Sequence, residues 1–194
     1  MRKRAASAAE TRRRLIEATV ALHGERGVLA TRPADIAARA DVALTTYYKH
    51  FPSLDDLVRA CGGRLCEMLP PPDPARLAGV RRPEQIAAMV RTLFDDYELR
   101  ERWLHVARAE ERAVPALQHS MSAQRATRDA FVQAALGESG DQRQTAGVVA
   151  ALVDFWAWRT LRREVGLSQA EAIRAVTVAV QRLVTAAPAT DRKE

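Results

Sequence analysis

The chain has 194 residues, of which 47% are hydrophobic and 28% charged, with a formal net charge of +6. This balance is typical of a globular protein and excludes a disordered or low-complexity chain. Two cysteines exclude a disulfide-rich secreted scaffold. No apolar stretch follows the basic start at residues 2–4 to make a signal peptide, and none elsewhere is long enough to span a membrane. The sequence therefore predicts a soluble cytoplasmic protein without a membrane partner.

Hydrophobic spacing predicts helices along nearly the whole chain, and strand-like alternation is absent from the sequence. The first helix is expected over about Ala8–Glu25. Thr31 is the predicted N-cap of a short helix at Pro33–Ala40, because its hydroxyl can accept from the first backbone N–H groups. Asp41 lies at a turn, where aspartate tolerates the left-handed conformation. A second short helix is predicted at Leu44–His50.

Further helices follow this pair. Ser53 is predicted to cap the next one, with Asp56 as its capping-box partner, and the proline-rich stretch 70–74 is a stiff break. Ser168 and Glu171 form a second capping box. The remaining helices are predicted at Pro83–Leu99, Arg102–Arg112, Pro115–Leu136, Gln142–Val165 and Ser168–Ala187, with a loop at Gly137–Gly140.

The two short helices form a candidate helix-turn-helix. In that motif the first residues of the second helix meet base edges in the major groove. Thr45 and Thr46 supply hydroxyls for bases or phosphates, and Tyr48, Lys49 and His50 supply groups for phosphate oxygens. A helix pair with a turn is by itself a weak signal, since many helical proteins contain one.

Four features of the segment 27–53 occur in a fixed order and spacing: Gly27-x-x-x-Thr31, Ile36-Ala37, Val42, and Thr46-x-Tyr48-x-x-Phe51. Together they resemble the DNA-binding domain of TetR-family transcriptional regulators. The resemblance implies an all-α fold with a three-helix helix-turn-helix domain after an N-terminal arm (residues 1–54) and a larger helical ligand-binding and dimerisation domain (residues 55–194). It also implies a one-component regulator, expected to be a repressor, that binds a palindromic operator as a homodimer. A small hydrophobic or aromatic effector would release it, and no cofactor is implied.

Carried over by position, the resemblance places Thr31 near a phosphate and Ala43, Leu44 and Thr45 against the bases. Family members often carry lysine where this chain has Leu44, and glycine where it has Asp41. The lost cation gives more weight to the basic arm, and Leu44 can instead contact a thymine methyl group. The predicted DNA-binding residues are Arg2, Lys3, Arg4, Thr31, Ala43, Leu44, Thr45, Thr46, Tyr48, Lys49 and His50.

His23 stands where the family commonly has an aromatic core residue. We interpret it as a core histidine whose polar atoms are satisfied, and a pH-sensing role is the alternative. The run Arg12–Arg14 on the first helix is the competing source of positive charge if the arm is a passive tail.

Aromatic and polarisable residues in the second half predict the effector pocket, because such sites are mostly apolar with a few polar groups. Trp103 and His105 are the stronger candidates, since a buried indole or imidazole N–H needs a partner. The acidic residues Asp95, Asp96 and Glu98 can favour a cationic effector or form a solvated face. The predicted ligand-binding residues are Met89, Phe94, Tyr97, Trp103, His105, Met121, Phe131 and Trp156.

The last two predicted helices have apolar residues on two sides, which fits a homodimer interface through these helices or a plain intramolecular bundle. In the last helix one stripe is large and the other consists of alanines. The first stripe is Ile173, Val176, Val180, Leu183 and Val184, and the second is Ala172, Ala175, Ala179 and Ala186.

The sequence contains no P-loop, no Gly-x-Gly-x-x-Gly, no Gly-x-Ser-x-Gly and no His-Glu-x-x-His, so neither catalytic nor metal-binding residues are predicted. Cys61 and Cys66 lie five positions apart on one predicted helix, which is outside disulfide reach. The alternative function is an all-helical enzyme or a small-molecule-binding protein without DNA binding. A membrane-surface helical protein is a third class, and it rests on the basic arm alone.

Overall fold

The structure, a computed structural model, describes residues 2–137 and 143–186, and for residues 2–5, 82 and 186 it describes the backbone alone. Within these ranges the chain is helical and no strand is present, which confirms the all-α class. Short 3-10 helices occupy Pro74–Gly79 and Arg82–Glu84, and a π-helical turn occupies Thr160–Glu164. The α-helices are α1 (Arg2–Arg26), α2 (Pro33–Arg39), α3 (Leu44–His50), α4 (Leu54–Met68), α5 (Gln85–Glu110), α6 (Pro115–Leu136), α7 (Arg143–Leu152), α8 (Phe155–Arg159) and α9 (Gln169–Ala186).

The chain divides into two compact units. Unit 1 combines the chain up to Pro70 with Arg100–Ala123, and unit 2 combines Pro71–Leu99 with the chain from Gln124 onward. Helix α5 therefore supplies residues to both units. The predicted boundary after residue 54 divides the chain by expected role, namely DNA binding and ligand binding, and not by compact unit. It stays a prediction. No helix in the described ranges is long and apolar enough to cross a membrane.

The core of unit 1 is built from the apolar faces of its first four helices. Residues three or four apart share one face of a helix, so Leu15, Ala18 and Leu22 of α1 point inward together with Ile36 and Ala37 of α2. Tyr47 and Phe51 complete the core from α3 and its C-cap. The buried residues of this cluster are Leu15, Ala18, Val20, Leu22, Ile36, Ala37, Ala40, Tyr47, Phe51, Leu57 and Cys61.

Two predictions at the start of the chain are wrong. Helix α1 begins at Arg2, so the predicted basic arm is the first turn of a helix instead of a separate segment. Alanine and arginine are both strong helix formers, and the early sequence consists largely of them. Thr31 is not the N-cap of α2. That position is Arg32, while the Thr31 hydroxyl donates to the Gly27 carbonyl at 2.5 Å.

The turn between α2 and α3 agrees with the sequence prediction. Asp41 has a φ of 52°, in the left-handed region. The backbone N–H of Val42 then donates to the Ala37 carbonyl at 3.0 Å, which closes the turn onto the end of α2. A non-glycine residue in this conformation is uncommon, and aspartate is one of the few that adopt it.

In the second half of the chain, two helices that were predicted as separate form one continuous helix. Another helix that was predicted as continuous is interrupted. The segments predicted at Pro83–Leu99 and Arg102–Arg112 form the continuous helix α5, because no helix breaker lies between them. The helix predicted at Gln142–Val165 breaks at Asp154, whose side chain caps α8 by accepting from the backbone N–H of Trp156 at 3.0 Å. Part of the predicted loop (residues 138–140) and the predicted termini Gln142 and Ala187 lie outside the described residues.

Both predicted serine N-caps are present, and Ser168 with Glu171 forms the full capping box. At Ser53 the Asp56 carboxylate instead accepts from the serine hydroxyl at 2.7 Å. The backbone N–H of Asp56 donates to the Ser53 hydroxyl at 3.1 Å at the start of α4. At the start of α9, the backbone N–H of Ser168 donates to the Glu171 carboxylate at 2.8 Å. The Ser168 hydroxyl in turn accepts from the backbone N–H of Glu171 at 3.3 Å. Side-chain oxygens thus satisfy N–H groups that have no partner within the helix.

Candidate nucleic-acid interface and ligand site

Helix α3 buries one side and exposes the other. Tyr47 is buried, and its ring centroid lies 6.3 Å from that of Phe51 in the core. On the opposite side Leu44 is 41% exposed and Tyr48 is 54% exposed. Residues four apart lie on one helical face, so these two side chains form a common outward surface. The outer surface of α3 is available to a partner.

The structure places most predicted DNA-binding residues on this surface. Thr46 and His50 are half-buried beside the exposed positions, and Thr31 is half-buried in the loop before α2. For Arg2, Lys3 and Arg4 the structure describes only the backbone. The contacts of all these residues with DNA stay predictions. The exposed members of the set are Ala43, Leu44, Thr45, Tyr48 and Lys49.

An arginine of α1 lies beside the end of α3. The guanidinium carbon of Arg12 is 4.9 Å from the centroid of the Phe51 ring, within the range of a cation–π contact. Its neighbour Arg13 is held by Glu10 and Glu17, at 2.5 and 2.8 Å. Arg12 therefore places a positive charge beside the C-terminal end of α3. Sequence reasoning named the run Arg12–Arg14 only as a competing source of charge.

A glutamate at the end of α5 holds the loop that precedes α2. The Glu110 carboxylate accepts from the backbone N–H groups of Val28 and Leu29, at 2.8 and 3.1 Å. Gly27 has a φ of 95°, and a Cβ there would overlap a Glu110 carboxylate oxygen. Glycine is therefore required at this position by both its conformation and the close carboxylate. Sequence reasoning missed Glu110, because its partners lie more than 80 positions away.

Residues 15–61 match the family model described as bacterial regulatory proteins, tetR family. This helix-turn-helix segment belongs to the TetR family. A curated relative, the HTH-type transcriptional repressor KstR of Mycolicibacterium smegmatis, is 39% identical over 71 residues, which cover 36% of this chain and 35% of that protein. The match thus spans about a third of the length of that relative.

Solved structures share the fold along nearly the whole chain. The multidrug binding protein EbrR, in complex with imidazole, superposes with a TM-score of 0.59 and 23% identity over 92% of each chain. A TetR transcriptional regulator from Rhodococcus sp. RHA1 has a TM-score of 0.52 and 19% identity, covering 90% of this chain and 97% of that one. At these identities the likeness shows the fold alone. It confirms an N-terminal helix-turn-helix followed by a larger helical part.

Unlike the prediction, the core histidine of the TetR-family segment is not satisfied. His23 is 7% exposed, and its Nε2 atom has no hydrogen-bond partner among the described residues. Burial lowers the pKa of His23 to about 4, because the charged imidazolium loses its hydration. The prediction of a core position is confirmed, and the prediction of a satisfied imidazole is wrong.

Acid is expected to destabilise the fold through His23. Because the pKa of His23 is depressed in the folded state, the folded protein favours the neutral ring. The unfolded protein, in which the pKa is about 6.5, therefore binds a proton first, and the free energy of unfolding decreases as the pH falls below that value. Between pH 7 and pH 5 the expected loss in the free energy of unfolding is about 2 kcal/mol. Urea denaturation at the two pH values, followed by tryptophan fluorescence, measures it.

The variant His23→Phe should remove most of this pH dependence, whereas His119→Gln, at an exposed position, should retain it. An equal pH dependence in the wild type and in His23→Phe would contradict the assignment.

The eight predicted ligand-binding residues are divided between the two units. Trp103, His105 and Met121 belong to unit 1, where the indole N–H of Trp103 donates to the Val20 carbonyl at 3.0 Å. The backbone thus supplies the polar partner that the sequence assigned to a ligand. Trp156 is exposed in unit 2, and the roles of all eight residues in ligand binding stay predictions. The buried members of unit 2 are Met89, Phe94, Tyr97 and Phe131.

A different part of unit 2 contains a cavity. It has a volume of about 630 Å³, lies between α6 and α7, and is lined by none of the eight predicted residues. Arg128 and Asp129 supply charged groups, and small side chains leave the space open. The apolar and small lining residues are Val132, Leu136, Gly137, Ala146, Gly147, Ala150 and Ala151. A volume of this size suits a small organic molecule.

A polar network holds the break between α7 and α8. Arg128 Nη1 lies 2.6 Å from Asp154 Oδ2, and the carboxylate and guanidinium are both largely buried. The Tyr97 hydroxyl donates to the Val153 carbonyl at 3.1 Å, the group that the break leaves without a helical partner. Burial raises the pKa of Tyr97, so its hydroxyl stays a donor. Arg128 therefore belongs to both the cavity wall and this network.

The last helices of unit 2 expose apolar and small side chains. In α9 the large stripe predicted at Ile173, Val176 and Val180 is buried, and this part of the stripe faces the core of the unit. The alanine stripe divides, since Ala172 is buried while Ala175 and Ala179 are exposed. The exposed apolar residues of these helices are Val148, Ala151, Trp156, Ala170, Ala175, Val178 and Ala179. An apolar surface of this kind is typical of an interaction site.

Proposed function

We propose that this protein is a ligand-responsive, one-component transcriptional regulator that binds a palindromic operator as a homodimer in the cytoplasm, where it acts as a repressor. The observation that carries the proposal is the outward surface of α3 within the segment that matches the TetR family. That surface presents hydroxyls, a lysine and an apolar face. These groups can reach base edges and phosphates when the second helix of the motif enters the major groove.

The side chains at the outer surface of α3 differ in the kind of contact with DNA that they can make. Ala43, Leu44 and Thr45 begin the helix and would face base edges. Tyr48, Lys49 and His50 follow and would bind phosphates, with Arg12 as an additional cation at the end of the surface. Phosphate contacts set the position of the protein, and base contacts set its sequence preference.

The exposed apolar surface of α7–α9 supports dimerisation. A second copy can bury Val148 and Val178 against the same residues of its partner, because a two-fold interface uses one patch twice. Small residues such as Ala175 and Ala179 let two helices approach closely. Such a dimer would hold its recognition helices about 34–36 Å apart, or one turn of DNA.

The sign of regulation and the effector rest on the relatives and on unit 2. The curated relative is a repressor by name, and a structural neighbour is a multidrug binding protein. The cavity of about 630 Å³ and the buried aromatic residues of unit 2 both suit a hydrophobic or aromatic molecule. An effector shifts the DNA-binding state only by its differential affinity for the two conformations.

Selection of bound sites from random duplexes tests the proposal. We expect the recovered sites to be inverted repeats with half-site centres about one helical turn apart, and sedimentation to show dimers at micromolar concentration. The variant Val178→Glu, at an exposed position of α9, should yield monomers and lose the repeat, while Glu67→Gln on α4 should change neither. Monomers both with and without DNA, or recovered sites without two-fold symmetry, would contradict the dimeric proposal.

A further inference from the structure

The exposed start of α3 lacks the side chains that usually read guanine or adenine. Guanine is read in the major groove by arginine or lysine, and adenine by asparagine or glutamine. The residues at positions 43–47 are alanine, leucine, two threonines and a buried tyrosine. Their exposed groups are methyls and hydroxyls. The base-edge feature that an apolar side chain recognises is the C5-methyl group of thymine.

Leu44 is the main apolar group on this surface. It is 41% exposed, and Tyr48, on the same helical face, is 54% exposed. The Tyr48 ring packs edge-on against the buried Tyr47 at a centroid distance of 5.2 Å and an angle of 84°, so contact with the core orients it. Leu44 and the ring of Tyr48, which packs against Tyr47, thus form one exposed apolar face of α3. Covering this face with apolar groups removes its surface from water.

The backbone before Leu44 has a fixed conformation, and the side chain at position 43 is small. The left-handed Asp41 and the hydrogen bond from Val42 to the end of α2 set where α3 begins. Ala43 is the N-cap residue, and its single methyl leaves room for a base pair to approach Leu44. A long side chain at position 43 would hold the helix away from the groove floor.

We propose that Leu44, assisted by Ala43, reads thymine methyl groups, so that the operator half-site carries thymine at the base pairs this face contacts. This inference rests on the proposed function and adds to it the sequence class of the operator. The exposed Lys49 lies one position beyond Tyr48 and binds phosphate. Leu44 is therefore a specificity-determining residue, and Lys49 contributes affinity without sequence preference.

The test replaces thymine with deoxyuridine in a duplex recovered by the selection described above. This substitution removes the C5-methyl group and leaves every hydrogen-bonding atom of the base in place. For the wild-type protein we expect affinity to fall about three- to fivefold at one or two positions in each half-site, because the complex no longer buries one methyl group there. Leu44→Ala should bind the thymine and deoxyuridine duplexes equally at those positions.

Lys49→Ala is the matched control. It should weaken binding to all duplexes by a similar factor and keep the wild-type response to deoxyuridine, with a smaller salt dependence. Both positions are exposed, and thermal unfolding checks that each variant is folded. Recovered half-sites with guanine at the contacted positions, or a response to deoxyuridine that survives Leu44→Ala, would overturn the inference while leaving the proposed function intact. Failure to recover any duplex would overturn both.

Discussion

Replacing Arg128 with alanine is expected to lower the free energy of unfolding by about 3 kcal/mol. Its guanidinium lies 2.6 Å from the carboxylate of Asp154, which is only 9% exposed. Removing Arg128 takes the guanidinium away from a largely buried carboxylate, and the penalty of breaking such a buried pair exceeds the net value of the pair itself. Urea denaturation followed by the fluorescence of Trp156 and Trp158, both in unit 2, measures the change.

Two further variants separate the buried charge from other effects of the substitution. Asp129→Ala removes the other carboxylate that pairs with Arg128, but that partner is exposed, so a change below about 1 kcal/mol is expected. The double variant Arg128→Met with Asp154→Asn removes both charges and keeps an oxygen to cap α8. It should be more stable than Arg128→Ala. A double variant no more stable than the single one would show that packing, and not charge, explains the loss.

The helix-turn-helix could be predicted from the sequence because local signals specify it. Helical spacing and turn chemistry predicted the two short helices close to where they lie, and a short polar residue marked the left-handed turn at Asp41. The N-caps Ser53 and Ser168 were equally local, since each cap and its partner lie within one turn of helix. Where the relevant contacts are close in sequence, propensity and pattern agree with the final structure.

The wrong or missing predictions depended on distant contacts or on weak boundaries. The break at Asp154 interrupts a segment that is apolar enough to continue as helix, and the partner that stabilises it, Arg128, lies on another helix. Conversely, α5 continues as one helix through the boundary that was predicted between Leu99 and Arg102. The polar partner of Trp103 was the Val20 carbonyl, 83 positions away, which no pattern within one window could indicate.

The candidate ligand site shows a similar limit. Aromatic composition indicated Phe94 and Tyr97 as residues of a ligand pocket, and both are buried, but burial alone does not define a cavity. Their rings lie 6.2 Å apart, and the Tyr97 ring is 5.7 Å from that of Phe155. The cavity lies instead beside Ala146, Gly147 and their neighbours, where small side chains leave space. Void space depends on how helices pack, which the sequence pattern of each helix does not specify.

Glu110→Ala is expected to lower the free energy of unfolding by about 2 kcal/mol and to weaken DNA binding for all sequences alike. A hydrogen bond to a charged group contributes about 1.5–3 kcal/mol, and Glu110 accepts two. The total is smaller than twice that value, because Leu29 is exposed and its N–H can bond to water instead. Val28 is buried, so its N–H has no such replacement. DNA binding weakens because the freed loop leads directly into α2.

Hydrogen exchange and urea denaturation distinguish this role from a general loss of charge. The amides of Val28 and Leu29 should exchange faster in Glu110→Ala, and Glu110→Gln, which keeps an amide oxygen as acceptor, should fall between it and the wild type. Glu67→Ala is the control, since it removes an exposed carboxylate paired with Arg64 and should cost less than about 1 kcal/mol. Unchanged exchange at both amides would show that the loop keeps its conformation without the carboxylate, and Gly27 alone would then account for the turn.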